Sequence, residues 1–107
     1  MKTLKFRSNL AELVLKGEKT VTWRLFDDKN LQVGDELVLI VKETLVEFAK
    51  AIILNVTEKK LGDVTEQDYT GHEKFIDKED MLKHYKEYYG EKVTLDTLVK
   101  IISFRLV

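Results

Sequence analysis

The sequence predicts an α+β domain, a mostly antiparallel and barrel-like sheet accompanied by two or three short helices. Two kinds of segment point there. "DELVLIV", "EFAKAIILNVT" and "LVKIISFRLV" are rich in the β-branched and aliphatic residues that suit a pleated, half-buried surface. Two other segments, near residues 9–16 and 77–90, space apolar side chains at helical intervals and carry capping residues at their ends. With no repeat, low-complexity tract or Pro/Gly/Ser-rich linker between them, the 107 residues are expected to share one core and form one domain over 1–107.

Taken in order, residues 3–6 predict a short strand. Asn9 as N-cap with Glu12 at N3, and Ser8 as the competing cap, predict the start of a helix. Leu10, Leu13 and Val14 give it one buried stripe, and Gly17 reads as the C′ glycine that closes it after barely two turns. From Thr20 the pattern alternates, with Val21, Trp23 and Leu25 on one face of a strand and Thr20, Thr22 and Arg24 on the other. A polar turn and a second turn at Val33-Gly34-Asp35 lead into the strand ending "LVLIV", and Glu43-Thr44-Leu45 turns the chain back into the strand of residues 47–57. The main helix has Asp77 as N-cap, Asp80 near N3, Ile76 and Met81 as a hydrophobic staple, and Gly90 as C′. Met81, Leu82, Tyr85 and Tyr88 or Tyr89 form its apolar face, and Ile101 and Phe104 place the final strand in the core.

Composition bounds the function. Forty-four percent apolar and 35% charged residues describe a soluble globular chain, and no apolar run nears the roughly 20 residues that span a bilayer. "MKTLKFRSNL" lacks a signal-peptide pattern and the chain has no cysteine, so a cytoplasmic protein with no membrane contact is expected. A net charge of -1 argues against coating nucleic acid by bulk electrostatics. Yet residues 1–26 carry six Lys or Arg against two Glu, a segment of +4 in a remainder of -5, which is compatible with a local basic face.

Two histidines without cysteine do not make a structural zinc site. Asp68 and His72 stand four apart but with Gly71 between them, and no P-loop, nucleophile elbow or dinucleotide fingerprint occurs. No metal and no cofactor are expected. The stretch "GEKTVTWR" carries more. Lys19 and Thr22 have opposite parity, so they meet only if Lys19 lies in a turn, which the reversal at Gly17 provides. A purely structural alternative puts Lys19 against the carbonyl end of the first helix, makes Thr22 a surface β-former and pairs Arg24 with a carboxylate.

Gly17, Lys19, Thr20, Thr22 and Arg24 form G-x-K-T-x-T-x-R, which resembles the signature of the ASCH domain family, whose fold is similar to the PUA β-barrel. "LQVGDELVLI", "VTEQDYTGHEKFIDKEDMLKHYKEYYG" and "IISFRL" resemble later segments of that family in the same order. The resemblance implies a cleft lined by Lys19, Thr22, Arg24 and Glu73. Some bacterial members are amidohydrolases acting on N4-acetylcytidine with a Lys, a Thr three residues on, and a Glu, a set that Lys19, Thr22 and Glu73 match. Where many relatives have Glu-Gly-Phe, this chain has Glu73-Lys74-Phe75, which lacks the freedom of glycine and keeps Glu66 and Asp68 as further candidates.

Amide hydrolysis needs a nucleophile, a base and an oxyanion partner. Thr22 would supply the hydroxyl. Lys19 would be the base if its pKa fell from about 10.4 to about 7–8, with Arg24 as the depressing cation; alternatively Lys19 stays charged as oxyanion partner and Glu73 is the base. Both assignments stand open. A binding module would use the same cleft, with Arg24 and Thr20 on a phosphate or base edge, Tyr69 as an exposed ring stacked on a base, and His72 orienting or tuning Glu73. In that alternative the domain is a non-catalytic RNA-binding or adaptor module in RNA metabolism or transcription regulation. Trp23 is expected to be buried backing, Tyr85 and Tyr88 to pack the helix, and His84 to lie on a charged surface.

Overall fold

The computed structural model describes residues 1–107. Along the chain run β1 (Lys2–Phe6), α1 (Ser8–Leu15), β2 (Val21–Leu25), β3 (Glu36–Val41), β4 (Glu47–Lys60), α2 (Lys78–Tyr89) and β5 (Leu98–Leu106). Two 3-10 turns, Leu61–Asp63 and Glu66–Tyr69, lie between β4 and α2.

All five strands join one sheet in the order β1-β3-β4-β5-β2. Only β1 and β3 run parallel, with Leu4 opposite Leu39; the other pairings are antiparallel. β4 is 14 residues long and serves two neighbours, β3 along its first half and β5 along its second. A register shift between Ile53 and Asn55 puts an extra residue in its ladder with β5, which bends a strand and increases its twist. The expected barrel is thus a strongly curled half-barrel with β1 and β2 as its edges. Side chains reach across from β2 and the loop after it: Arg24 Nη2 donates to the Lys5 carbonyl at 2.9 Å, and Lys29 Nζ donates to the Thr3 carbonyl.

One apolar cluster lies under α1, where Ala11 and Val14 meet Leu4, Phe6, Leu37, Leu39, Ile53 and Phe104. The end of α1 follows the expectation for Gly17. With φ of +78°, its N–H donates to Val14 O while Glu18 N–H donates to Leu13 O, the paired bonds of a Schellman motif. The start does not. Neither Asn9 nor Ser8 is the N-cap; Arg7 occupies that place with no side-chain bond, and the Glu43 carboxylate takes the Ser8 N–H at 3.0 Å and its hydroxyl at 3.2 Å. A tertiary carboxylate from the β3–β4 turn replaces the local cap.

A second cluster packs α2 on the other end of the sheet, through Val21, Trp23, Leu25, Leu61, Met81, Tyr85, Val99 and Ile101. Asp77 caps α2 as expected by accepting the Asp80 N–H at 2.8 Å. The Ile76–Met81 staple does not form, because Ile76 is 91% exposed while its N–H donates to Asp80 Oδ2. Phe75 turns inward in its place, 5.7 Å from the Tyr85 ring. No helix is long and apolar enough to cross a membrane.

Candidate functional site

A cavity of about 250 Å³ opens where the edge strands β1 and β2 meet the start of α1, the loop before α2, and α2. Lys19, Thr22, Trp23 and Arg24 form its inner wall, His72 and Glu73 lean over it, and Tyr85, Tyr88 and Tyr89 close one side.

Lys19 reaches this wall because of the turn before it. The Schellman motif at Gly17 is followed by a third bond, Lys19 N–H to Leu13 O at 3.1 Å, which fixes Lys19 outside β2. Its side chain is 3% exposed, and its ammonium donates to the Val21 carbonyl at 2.9 Å and to Glu73 Oε2 at 2.6 Å. The structural alternative for Lys19 is therefore not realised: its partner is a carboxylate 54 residues away, not a helix end.

Gly71 brings that carboxylate. Its carbonyl accepts both the Thr20 and Val21 N–H groups, at 2.9 and 3.1 Å, docking the loop on the start of β2. Its φ is +78°, and a Cβ there would stand 2.2 Å from Thr20 Oγ1. Glycine meets both demands. Three residues on, Lys74 needs no such freedom: its φ is negative, its side chain extends outward, and its ammonium stands 3.8 Å from Glu66 Oε2. The departure from Glu-Gly-Phe leaves Glu73 over the cavity.

The charges are strongly coupled. Burial draws Lys19 below the ordinary lysine value, Glu73 pulls it back up, and Arg24 adds to the depression, leaving it low. Burial pushes the Glu73 carboxyl up, but the Lys19 charge, His72 and the hydrogen bonds the carboxylate accepts together outweigh it and hold the group below the usual carboxylate value. His72 stacks on Trp23 with ring centroids 4.1 Å apart and is driven down to about 4, by burial first and then by Lys19. It is neutral at neutral pH. Its Nδ1 lies 2.6 Å from the Glu73 carbonyl, an acceptor only, so Nδ1 carries the hydrogen and Nε2 faces Glu73 Oε1 at 3.5 Å.

Thr22 is 4% exposed and its hydroxyl accepts from Arg24 Nε at 3.0 Å. The Arg24 guanidinium lies over the Phe6 ring at 4.7 Å and has no carboxylate partner, contrary to the structural alternative. Burial lowers it, and Tyr89, Tyr85 and Glu73 pull it back.

The structure does not bring every candidate here. Thr20 is exposed against Gly71, and Tyr69, expected as an exposed ring, packs 5.0 Å from Trp23 with its hydroxyl near Met81 sulfur. Asp68 closes a capping box with Thr65 and pairs with Lys59 at 2.8 Å, and Glu66 is at the surface beside Lys74. Tyr85 and Tyr88 do pack α2, as expected, and with Tyr89 they also line the cavity. Lys5, Arg7 and Lys42, which the sequence did not single out, line it too. A signal for two of them was present: four of the six cations in the +4 segment, Lys5, Arg7, Lys19 and Arg24, converge on this one cavity. The chain holds no group of three His, Cys, Asp or Glu side chains arranged for a metal.

No family model and no curated protein matches the chain. Solved structures do. An Enterococcus faecalis protein described under DUF984 is 22% identical over 92% of this chain and 70% of its own, with a TM-score of 0.76. An ASCH domain from Lactobacillus crispatus is 18% identical over 98% of this chain and 79% of its own, with a TM-score of 0.71. The ASCH protein of Zymomonas mobilis is 12% identical over 96% of this chain and 65% of its own, with a TM-score of 0.63. At such identities the likeness is one of architecture, and by it the chain has the ASCH-like fold, a PUA-like curled sheet.

Proposed function

We propose that the cavity binds a nucleoside and hydrolyses the amide of an N4-acylated cytidine, N4-acetylcytidine being the simplest case. The observation that carries this reading is the Lys19–Glu73 pair, 2.6 Å apart with Lys19 3% exposed, in a cavity that Thr22 also lines. An ammonium has three donors. Lys19 spends two, on Val21 and Glu73, so the third is free for a ligand oxygen. This favours the charged assignment, with Lys19 as oxyanion partner and Glu73 as base.

In this reading Thr22 Oγ1 attacks the acetyl carbonyl carbon, its proton passes to Glu73, and Arg24 Nε stabilises the oxygen as its charge develops. Lys19 holds the oxyanion. Glu73 gives the proton to N4 as the C–N bond breaks and cytidine leaves. Water deprotonated by Glu73 then cleaves the Thr22 ester, releasing acetic acid and returning a proton to Thr22. The tyrosines of α2 offer faces for the base. Incubation with N4-acetylcytidine tests the reaction: cytidine should appear with wild-type protein and fall by about 10³-fold with Glu73→Gln. No cytidine from a folded protein at high concentration would sink it.

A second reading has its own observation, the cations of the cavity that lack carboxylate partners. A non-catalytic RNA-binding module would use them, and its affinity should fall with salt and with Arg24→Ala. RNA affinity indifferent to both would remove that reading.

A further inference from the structure

We infer that the ligand is phosphorylated, a nucleoside monophosphate whose phosphate sits at the mouth of the cavity between Lys5, Arg7 and Lys42, an inference that rests on the nucleoside reading above. The parallel ladder creates this mouth. Phe6 pairs with Val41 at the end of β1 and β3, and the Lys42 N–H donates to the Phe6 carbonyl at 2.8 Å, so residues 5–7 and 42 emerge side by side. All three cations line the same cavity as Lys19 and Glu73.

None of them is paired. Elsewhere Lys2, Lys59 and Lys100 each meet an aspartate at 2.7 or 2.8 Å, whereas Lys5, Arg7 and Lys42 have no carboxylate partner. The acidic neighbour in sequence, Glu43, is committed to Ser8 at the start of α1. Five cations therefore face a cavity with one carboxylate, Glu73, and that one is spent on Lys19. Like charges held together repel, and an anion between them relieves the repulsion. Arg7 is steadied by the Tyr88 ring, 4.4 Å from its guanidinium carbon, so its fork is placed rather than free.

A phosphate monoester fits the donors in charge and in number of oxygens. The volume of about 250 Å³ is below the usual range of about 300–1,000 Å³ for small-molecule sites, so the cavity suits one nucleotide unit rather than a folded nucleic acid. The mouth sits outside the Lys19–Thr22–Glu73 wall. Phosphate there would leave the base pointing inward.

Titration with cytidine, cytidine 5′-monophosphate, inorganic phosphate and a cytidine trinucleotide at one ionic strength tests the inference, read by calorimetry and by the fluorescence of the single tryptophan, Trp23. The monophosphate should bind about tenfold or more tighter than cytidine, inorganic phosphate should compete with it, and the advantage should shrink below about twofold in Lys5→Gln/Lys42→Gln and in Arg7→Gln. Circular dichroism confirms that the variants are folded. Equal binding of cytidine and its monophosphate would overturn the phosphate site while leaving the nucleoside reading intact. An advantage that survives the substitutions would also overturn it, and a trinucleotide that binds far tighter than the monophosphate would replace it with an RNA strand. If cytidine and its monophosphate both fail to bind, the nucleoside reading fails and this one with it.

Discussion

Two buried lysine–carboxylate pairs flank β2, and they are built in opposite ways. After the strand, Asp27 is the buried partner, 6% exposed against 20% for Lys100, and its carboxylate also accepts the Lys29 and Leu31 N–H groups. Before the strand, Lys19 is the buried partner, 3% exposed against 29% for Glu73, whose Oε1 accepts no hydrogen bond and faces His72. The first pair ties a loop, with a donor on each Asp27 oxygen. Each lysine donates twice, but the second pair leaves one carboxylate oxygen open, and it does so beside a cavity. The open carboxylate oxygen beside a cavity, not the buried charge pair itself, sets the second pair apart.

Substitution should separate the two pairs. Glu73→Gln alone leaves the Lys19 ammonium buried without its counter-charge and should cost about 3 kcal/mol. Lys19→Met/Glu73→Gln should recover most of that in denaturant unfolding while abolishing turnover. Asp27→Asn/Lys100→Met should recover less, since one amide oxygen cannot replace the two that accept the Lys29 and Leu31 N–H groups. Equal recovery in both double variants would show that the two pairs are the same kind of structure.

Acid should tell the regions apart more finely. The folded pKa of His72, about 4, lies below the ordinary 6.5, so the fold favours the neutral ring. The stability this group contributes is complete above pH 6.5 and is lost as pH falls to about 4, where the unfolded chain has already taken up the proton, a loss of about 3 kcal/mol. His72→Phe should flatten that part of the pH profile, and an unchanged acid limb would show that His72 is not held neutral.

The smallest effect is expected at the hinge of the site. Gly71→Ala forces a side chain into a left-handed conformation against Thr20 Oγ1, at about 1–2 kcal/mol. Activity should fall further than stability, because the loop also carries Glu73. If turnover survives, the docking of Gly71 does not set the geometry of the pair.

Much of this was readable in the chain. Gly17 closes α1, Asp77 opens α2, and the alternation over Val21, Trp23 and Leu25 puts those three side chains in the core. These are local signals, each settled within a few residues. What escaped was set over distance. Glu43 caps α1 from 35 residues away, Lys42 reaches the cavity through a parallel ladder, and Tyr69 is turned inward by Trp23. Lys19, Thr22, Arg24 and Glu73 came from the motif and its resemblance, since parity alone placed Lys19 and Thr22 on opposite faces.

The side-chain bridge from β2 to β1 has a consequence for how copies of this chain meet. An uncovered strand edge is a template on which another strand can add. Here the Thr3 and Lys5 carbonyls of β1 are occupied by Lys29 and Arg24. These two cations occupy acceptors an incoming strand would need, so the contacts that tie β2 and its loop to β1 also make that edge a poorer template for aggregation.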